Sequence, residues 1–158
     1  MFGTLNQGEI EEVLHHQIFG RIGCHLDGVT YIVPISYAYD GENIIAHTQE
    51  GMKISMMRKN PNICFEVDTL QNMANWQSVI CWGTFEELLN PNERRNALER
   101  LHERVLPSMA SATAKLSSDW PFSPKDINSI GGIVFRIRLD KKTGKFENNS
   151  ISSLFALG

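Results

Sequence analysis

The chain has 158 residues, 42% of them hydrophobic and 21% charged. This is the composition of a folded globular protein, not of a disordered chain. Fifteen Lys and Arg against eighteen Asp and Glu leave a net charge of −3, which excludes a broad basic surface for nucleic acid or anionic membrane and confines phosphate recognition to a local pocket.

No apolar run approaches the roughly 20 residues of a membrane span. The acidic opening MFGTLNQGEIEE lacks the basic and apolar regions of a signal peptide, so a cytoplasmic protein is expected. Cys24, Cys64 and Cys81 are odd in number, widely spaced and without a C-x-x-C pair, as for reduced structural thiols.

Asn6 and Glu9 have capping-box spacing, and Ile10, Val13 and Leu14 follow at helical period, predicting a helix over 7–16. Three strand-like runs come next, 18–26, 29–39 and 43–48. Asp27-Gly28 and Asp40-Gly41 separate them, and each pair signals a hairpin. Pro34 has no N–H to give a ladder and marks an edge or a bulge. Residues 51–59 have a helical pattern that stops at Asn60-Pro61.

Residues 62–69 alternate as a strand, and 75–88 form a longer one with a bend expected at Gly83. Asn90-Pro91 starts a helix reaching about Val105. Residues 107–131, rich in Ser, Ala, Pro and Gly, read as an irregular connection anchored by Trp120-Pro121-Phe122. In 132–140, Ile133, Phe135, Ile137 and Leu139 face one way and Val134, Arg136, Arg138 and Asp140 the other. Thr143-Gly144 suggests a turn, and the tail 147–158 has no period.

No repeat or linker divides the chain, so one domain over 1–158 is expected. About six strands joined mostly by short turns do not alternate with helices, which argues against a doubly wound parallel sheet and for an antiparallel barrel.

The stretch His47-Thr48-Gln49-Glu50-Gly51-Met52-Lys53 carries the most chemistry. A strand ends, a glycine permits a turn, and a helix begins beside a lysine. Free N–H groups at a helix start, a cation and the Thr48 hydroxyl suit a phosphate, although a solvated turn has the same residues. Neither the Walker pattern nor G-x-G-x-x-G nor G-x-S-x-G occurs. His15 and His16 point about 100° apart on a helix and cannot share a metal, and no other set has metal spacing. No metal is expected.

The runs GRIG at 20–23, YIVPISY at 31–37, IIAHT at 44–48, GMKI at 51–54 and NPNICFEV at 60–67, in that order, resemble the flavin-binding split barrels of the pyridoxamine 5′-phosphate oxidase-like family, nearest its nitroimidazole-resistance branch. The resemblance covers roughly 8–147. It implies a six-stranded antiparallel split barrel and a homodimer with one FMN at each of two sites across the interface.

It implies that Val33, Pro34, Ile35 and Ser36 line the isoalloxazine and that His47 and Thr48 lie beside it. Lys53 would hold the phosphate, with Arg21 either a second phosphate ligand or a surface residue. The partner chain would contribute Trp76, Ser78 and Trp82, and His47 would be the proton-transferring residue. The oxidase's pyridoxal-phosphate-binding positions have no counterpart here. The expected activity is flavin-dependent reduction of a small acceptor, a nitroaromatic being one candidate. The alternatives are a non-catalytic FMN carrier or sensor, and haem binding on the same barrel through His25, His47 or His102.

Overall fold

The computed structural model describes residues 1–105, 127 and 129–149. The elements run β1 (Phe2–Thr4), α1 (Gln7–His16), β2 (Phe19–Leu26), β3 (Val29–Ser36), β4 (Ala38–Tyr39), β5 (Asn43–Thr48), α2 (Met52–Lys59), β6 (Asn62–Asn72), β7 (Asn75–Glu87), α3 (Pro91–Val105) and β8 (Ile133–Asn148).

The strands form one antiparallel sheet in the order β3-β2-β6-β7-β8-β5-β4, with β1 added on β8. Its two ends, β3 and β4, belong to one run interrupted only at Tyr37, whose N–H donates to the Ile18 carbonyl at 3.0 Å. The sheet therefore closes on itself through residues 29–39. Counting that run once leaves the six expected strands, with the unpredicted β1 outside them.

Local chemistry explains the joints. Asn6 Oδ1 accepts from the Glu9 N–H at 2.9 Å and Glu9 Oε2 from the Asn6 N–H at 2.7 Å, closing the capping box of α1. Asp27 and Gly28 have φ of 50° and 80°, the two left-handed residues of a type I′ turn. Pro34 lies on β3, paired only with β2, so its missing N–H costs no ladder bond. Gly83 follows a register shift that leaves Asp140 unpaired between Lys141 and Leu139. A Cβ there would lie 2.2 Å from the Arg138 carbonyl oxygen.

Two cores result. The barrel interior packs Ile22, Phe65, Phe135 and Ile137 against Leu14 of α1 and Ile54 and Met57 of α2, all fully buried. A second core joins Leu98 and Leu101 of α3 to Ile45 and Val134. Val134 lies opposite Phe135, as the alternation predicts, and is fully buried in the second core with Leu98 and Leu101 of α3.

Two boundaries differ from expectation. Thr143-Gly144 is no turn, because β8 runs through it to Asn148. Gly144 is instead a close-approach position, where a Cβ would come within 2.8 Å of Leu5 Cδ1. Strand β6 likewise extends three residues beyond 69. Most of the 107–131 connection, with Trp120-Pro121-Phe122, and the tail from residue 150 lie outside the described residues. All three cysteines are free thiols, Cys24 and Cys81 buried and Cys64 partly so.

Candidate functional site at the start of α2

Strand β5 delivers His47 and Thr48 to its end, paired with Val134 and Ile133 of β8. After three intervening residues α2 begins at Met52. Its N-cap, Gly51, offers no side-chain acceptor to the first-turn amides, so these donors stay available. The turn is braced from below. Arg58 binds both Glu50 oxygens at 3.0 and 2.9 Å and both Glu87 oxygens at 3.0 Å, tying the approach to α2 to the end of β7.

Lys53 lies on the first turn of α2, half-buried near Cys24 of β2. Burial draws its ammonium below the ordinary lysine value. Among the described residues it has no ion pair. A desolvated cation without a counter-charge, beside open helix amides, is stabilised by a bound anion. This donor set fits a phosphate monoester such as that of a flavin nucleotide.

His47 is more enclosed. Its Nε2 donates to the Gly131 carbonyl at 2.7 Å. A carbonyl can only accept, so the proton sits on Nε2. Burial pulls the His47 pKa below 6.5; the Gly131 bond opposes this and the Arg94 charge adds to it. The neutral ring therefore keeps Nδ1 as an acceptor.

The other expected site residues divide. Ile35 is buried in the barrel and Val33 packs against the same core, so these two offer a ligand mainly backbone. Pro34 and Ser36 alternate onto the outer face of β3. Arg21 already binds Glu66 at 3.2 Å and Asp68 at 3.3 Å, so it is a surface ion-pair residue and its charge is not free for phosphate. Ser78 Oγ donates to Glu66 at 3.4 Å. Trp76 donates to Glu147 at 3.1 Å and packs edge-on against Phe2.

Trp82 remains 40% exposed, with Lys141 Nζ 5.3 Å above its ring. It borders a groove of about 620 Å³ on the outer face of β2, β3, β6 and β7, with Ile32, Cys64, Glu66 and Arg21. Glu66 titrates above its ordinary value through burial and the adjacent Asp68, although Arg21 opposes this. Among the described residues no cluster of three or more His, Cys, Asp or Glu is placed to hold a metal ion.

Residues 6–146 match the family model described as pyridoxamine 5′-phosphate oxidase. The chain belongs to this family. A structure of an FAD-binding protein from Mesorhizobium loti has a TM-score of 0.71 at 27% identity, covering 94% of this chain and 99% of that one. A candidate 5-nitroimidazole resistance protein from Bacteroides thetaiotaomicron shares the family fold, with TM-score 0.67, 20% identity and coverage of 92% and 87%. A relative of uncharacterised role from Rhizobium meliloti (strain 1021) is 26% identical over 142 residues, 90% of this chain and 93% of its own length. The antiparallel split barrel expected of the family is the fold found.

Two features of this candidate site escaped sequence reasoning, the Arg58 brace and the contacts of Arg94 with residues 130–132. Only the pair Gly131-Gly132 hinted at the second. Gly132 has φ 79°, and a Cβ on it would lie 2.8 Å from His47 Nε2.

Proposed function

We propose that this chain is a homodimeric FMN-binding flavoprotein acting as an oxidoreductase on a small acceptor. The observation that carries the proposal is Lys53, a half-buried ammonium without an ion-pair partner among the described residues, at the open start of α2. Lys53, the first amides of α2 and the Thr48 hydroxyl would hold the phosphate. The 27%-identical neighbour is named as FAD-binding. FAD contains the same isoalloxazine, ribityl chain and first phosphate, so the anchor serves either nucleotide and titration with each decides between them.

When bound, a flavin supplies reversible one- and two-electron chemistry. The protein's part is to bind and orient it. Pro34, Ser36 and the backbone of β3 would offer a flat edge to the ring. His47, neutral with Nδ1 bare, would accept a hydrogen bond or proton there, and so acts first as base.

The dimer rests on the outer groove. Ile32 is 64% exposed and Trp82 40%, on a face a second copy would cover, and Trp82 is the aromatic side chain best placed to reach that copy. A nitroaromatic is the first acceptor to try, with reduced nicotinamide as donor.

The absorption spectrum of the purified protein, followed by turnover, tests the proposal. Flavin bands and steady consumption of reduced nicotinamide with an acceptor are expected. Bound flavin without turnover would make the chain a carrier or sensor. A Soret band would indicate haem, although His47 Nε2 is already engaged and His25 Nδ1 meets Thr30 Oγ1 at 3.2 Å.

A further inference from the structure

Arg94 stands in the first turn of α3, whose start is set by Asn90 Oδ1 accepting from the N–H groups of Asn92 at 2.9 Å and Glu93 at 3.2 Å. From there its guanidinium reaches residues 36 to 38 positions away. Nη2 donates to the Ile130 carbonyl at 2.6 Å and the Gly131 carbonyl at 3.4 Å, and Nη1 to the Gly132 carbonyl at 3.3 Å. The side chain is partly buried and forms no ion pair among the described residues. Glu87 is in electrostatic range, but its oxygens are taken by Arg58. A planar fork spreads five donors over three nitrogens and suits carbonyls strung along a segment, whereas a lysine concentrates its three donors on one nitrogen.

We propose that Arg94 is a positioning residue: by gathering the carbonyls of Ile130, Gly131 and Gly132 it aims the Gly131 carbonyl at His47, fixing the Nε2–H tautomer and presenting Nδ1 as an acceptor. Two further contacts make the arrangement specific. Gly132 adopts φ 79° directly beside the ring, and its position also abuts the Thr48 carbonyl, where a Cβ would be 2.8 Å away. The segment that enforces the tautomer therefore also lies against the residue preceding the anion-binding turn. The identity of the group that meets Nδ1 rests on the flavin proposal; the tautomer does not.

The test is ¹⁵N NMR of the histidine rings in the full chain, with and without FMN, the His47 resonances being assigned by His47→Gln. In the unaltered protein His47 is expected as the Nε2–H tautomer. In Arg94→Ala its signals become a mixture of both tautomers. The tautomer ratio is the readout, because losing the Arg94 charge raises the titration midpoint while losing the Gly131 bond lowers it. Arg94→Lys, which keeps the charge but not the planar fork, falls between.

An Nδ1–H tautomer in the unaltered protein would overturn the proposal, as would an unchanged tautomer in a folded Arg94→Ala protein. Should Arg94→Ala not fold, the unaltered protein and Arg94→Lys decide the question by the same tautomer signals. Failure to take up FMN would defeat the flavin proposal and leave the tautomer result standing.

Discussion

Gly132 packs directly against His47. A Cβ added to Gly132 would lie 2.8 Å from Nε2, the atom that donates to Gly131, and the backbone there has φ 79°. Gly132→Ala should therefore both strain the chain and displace the ring. A loss of roughly 1–3 kcal/mol is expected in urea unfolding, together with loss of the single His47 tautomer. Unchanged stability would mean that the segment relaxes freely and does not hold the ring.

A second glycine tests the barrel itself. Gly83 approaches the Arg138 carbonyl so closely that a Cβ would be 2.2 Å away, and backbone cannot yield as a side-chain tip can. Gly83→Ala should cost on the order of 1–3 kcal/mol by overpacking, read as a lower urea midpoint. Gly41→Ala is a useful comparison. Its φ of 97° is also positive but nothing lies within 4 Å of its Cβ, so only backbone strain applies.

Charge pairing predicts the shape of the stability profile with pH. Lys142 bonds to Glu11 and to the Tyr39 hydroxyl at 3.0 Å, and Tyr39 donates to Glu11 at 2.7 Å. For Glu11, burial raises the pKa, but the bonds from Lys142 and Tyr39 outweigh it and leave it below 4.5. Its contribution is present above 4.5 and is lost as pH falls through the folded value. For Lys142, burial lowers the pKa, but its bonds to Glu11 and Tyr39 raise it above 10.5 overall. Burial lifts Tyr39 to about 12. These two contributions are present below pH about 10 and fade as pH rises towards the folded values. Lys142→Met should cost most stability between about pH 5 and pH 10 and progressively less outside that window. A cost independent of pH would show that Lys142 acts through packing of its stem alone.

Much of the frame was legible because its signals are local. Asn6 with Glu9, Asp27-Gly28, Asn60-Pro61 and Asn90-Pro91 each act within four residues, and all mark true boundaries. What was missed depends on distant partners. Residues 2–4 have no pattern of their own and become a strand only by pairing with Lys145–Glu147. Gly144 resembled a turn residue but is glycine because Leu5 and Ile10 press on it. Arg21 was a candidate phosphate ligand until the β2–β6 pairing set it opposite Glu66. The Arg94 contacts with residues 130–132 cross more than thirty positions and leave no spacing to detect.

The proposed dimer makes a separate prediction. Ile32 stands 64% exposed at the outer groove beside Trp82. Burying a charge there without a partner is strongly unfavourable. Ile32→Glu should shift sedimentation from a dimer to a monomer without unfolding the barrel, and should weaken flavin retention if the sites span two copies. A monomer before substitution would contradict the dimer outright.

Whether α2 begins at a flavin phosphate site is decided by equilibrium titration with FMN, following flavin fluorescence, of the unaltered chain beside Lys53→Met and Arg21→Met. Losing one charge-assisted contact costs roughly 1.5–3 kcal/mol, about ten- to a hundred-fold in Kd. Lys53→Met should weaken binding by that factor, whereas Arg21→Met, whose charge is already met by Glu66 and Asp68, should change it little. Equal affinity for the unaltered chain and Lys53→Met, or no binding by the unaltered chain, would contradict a phosphate site at the start of α2.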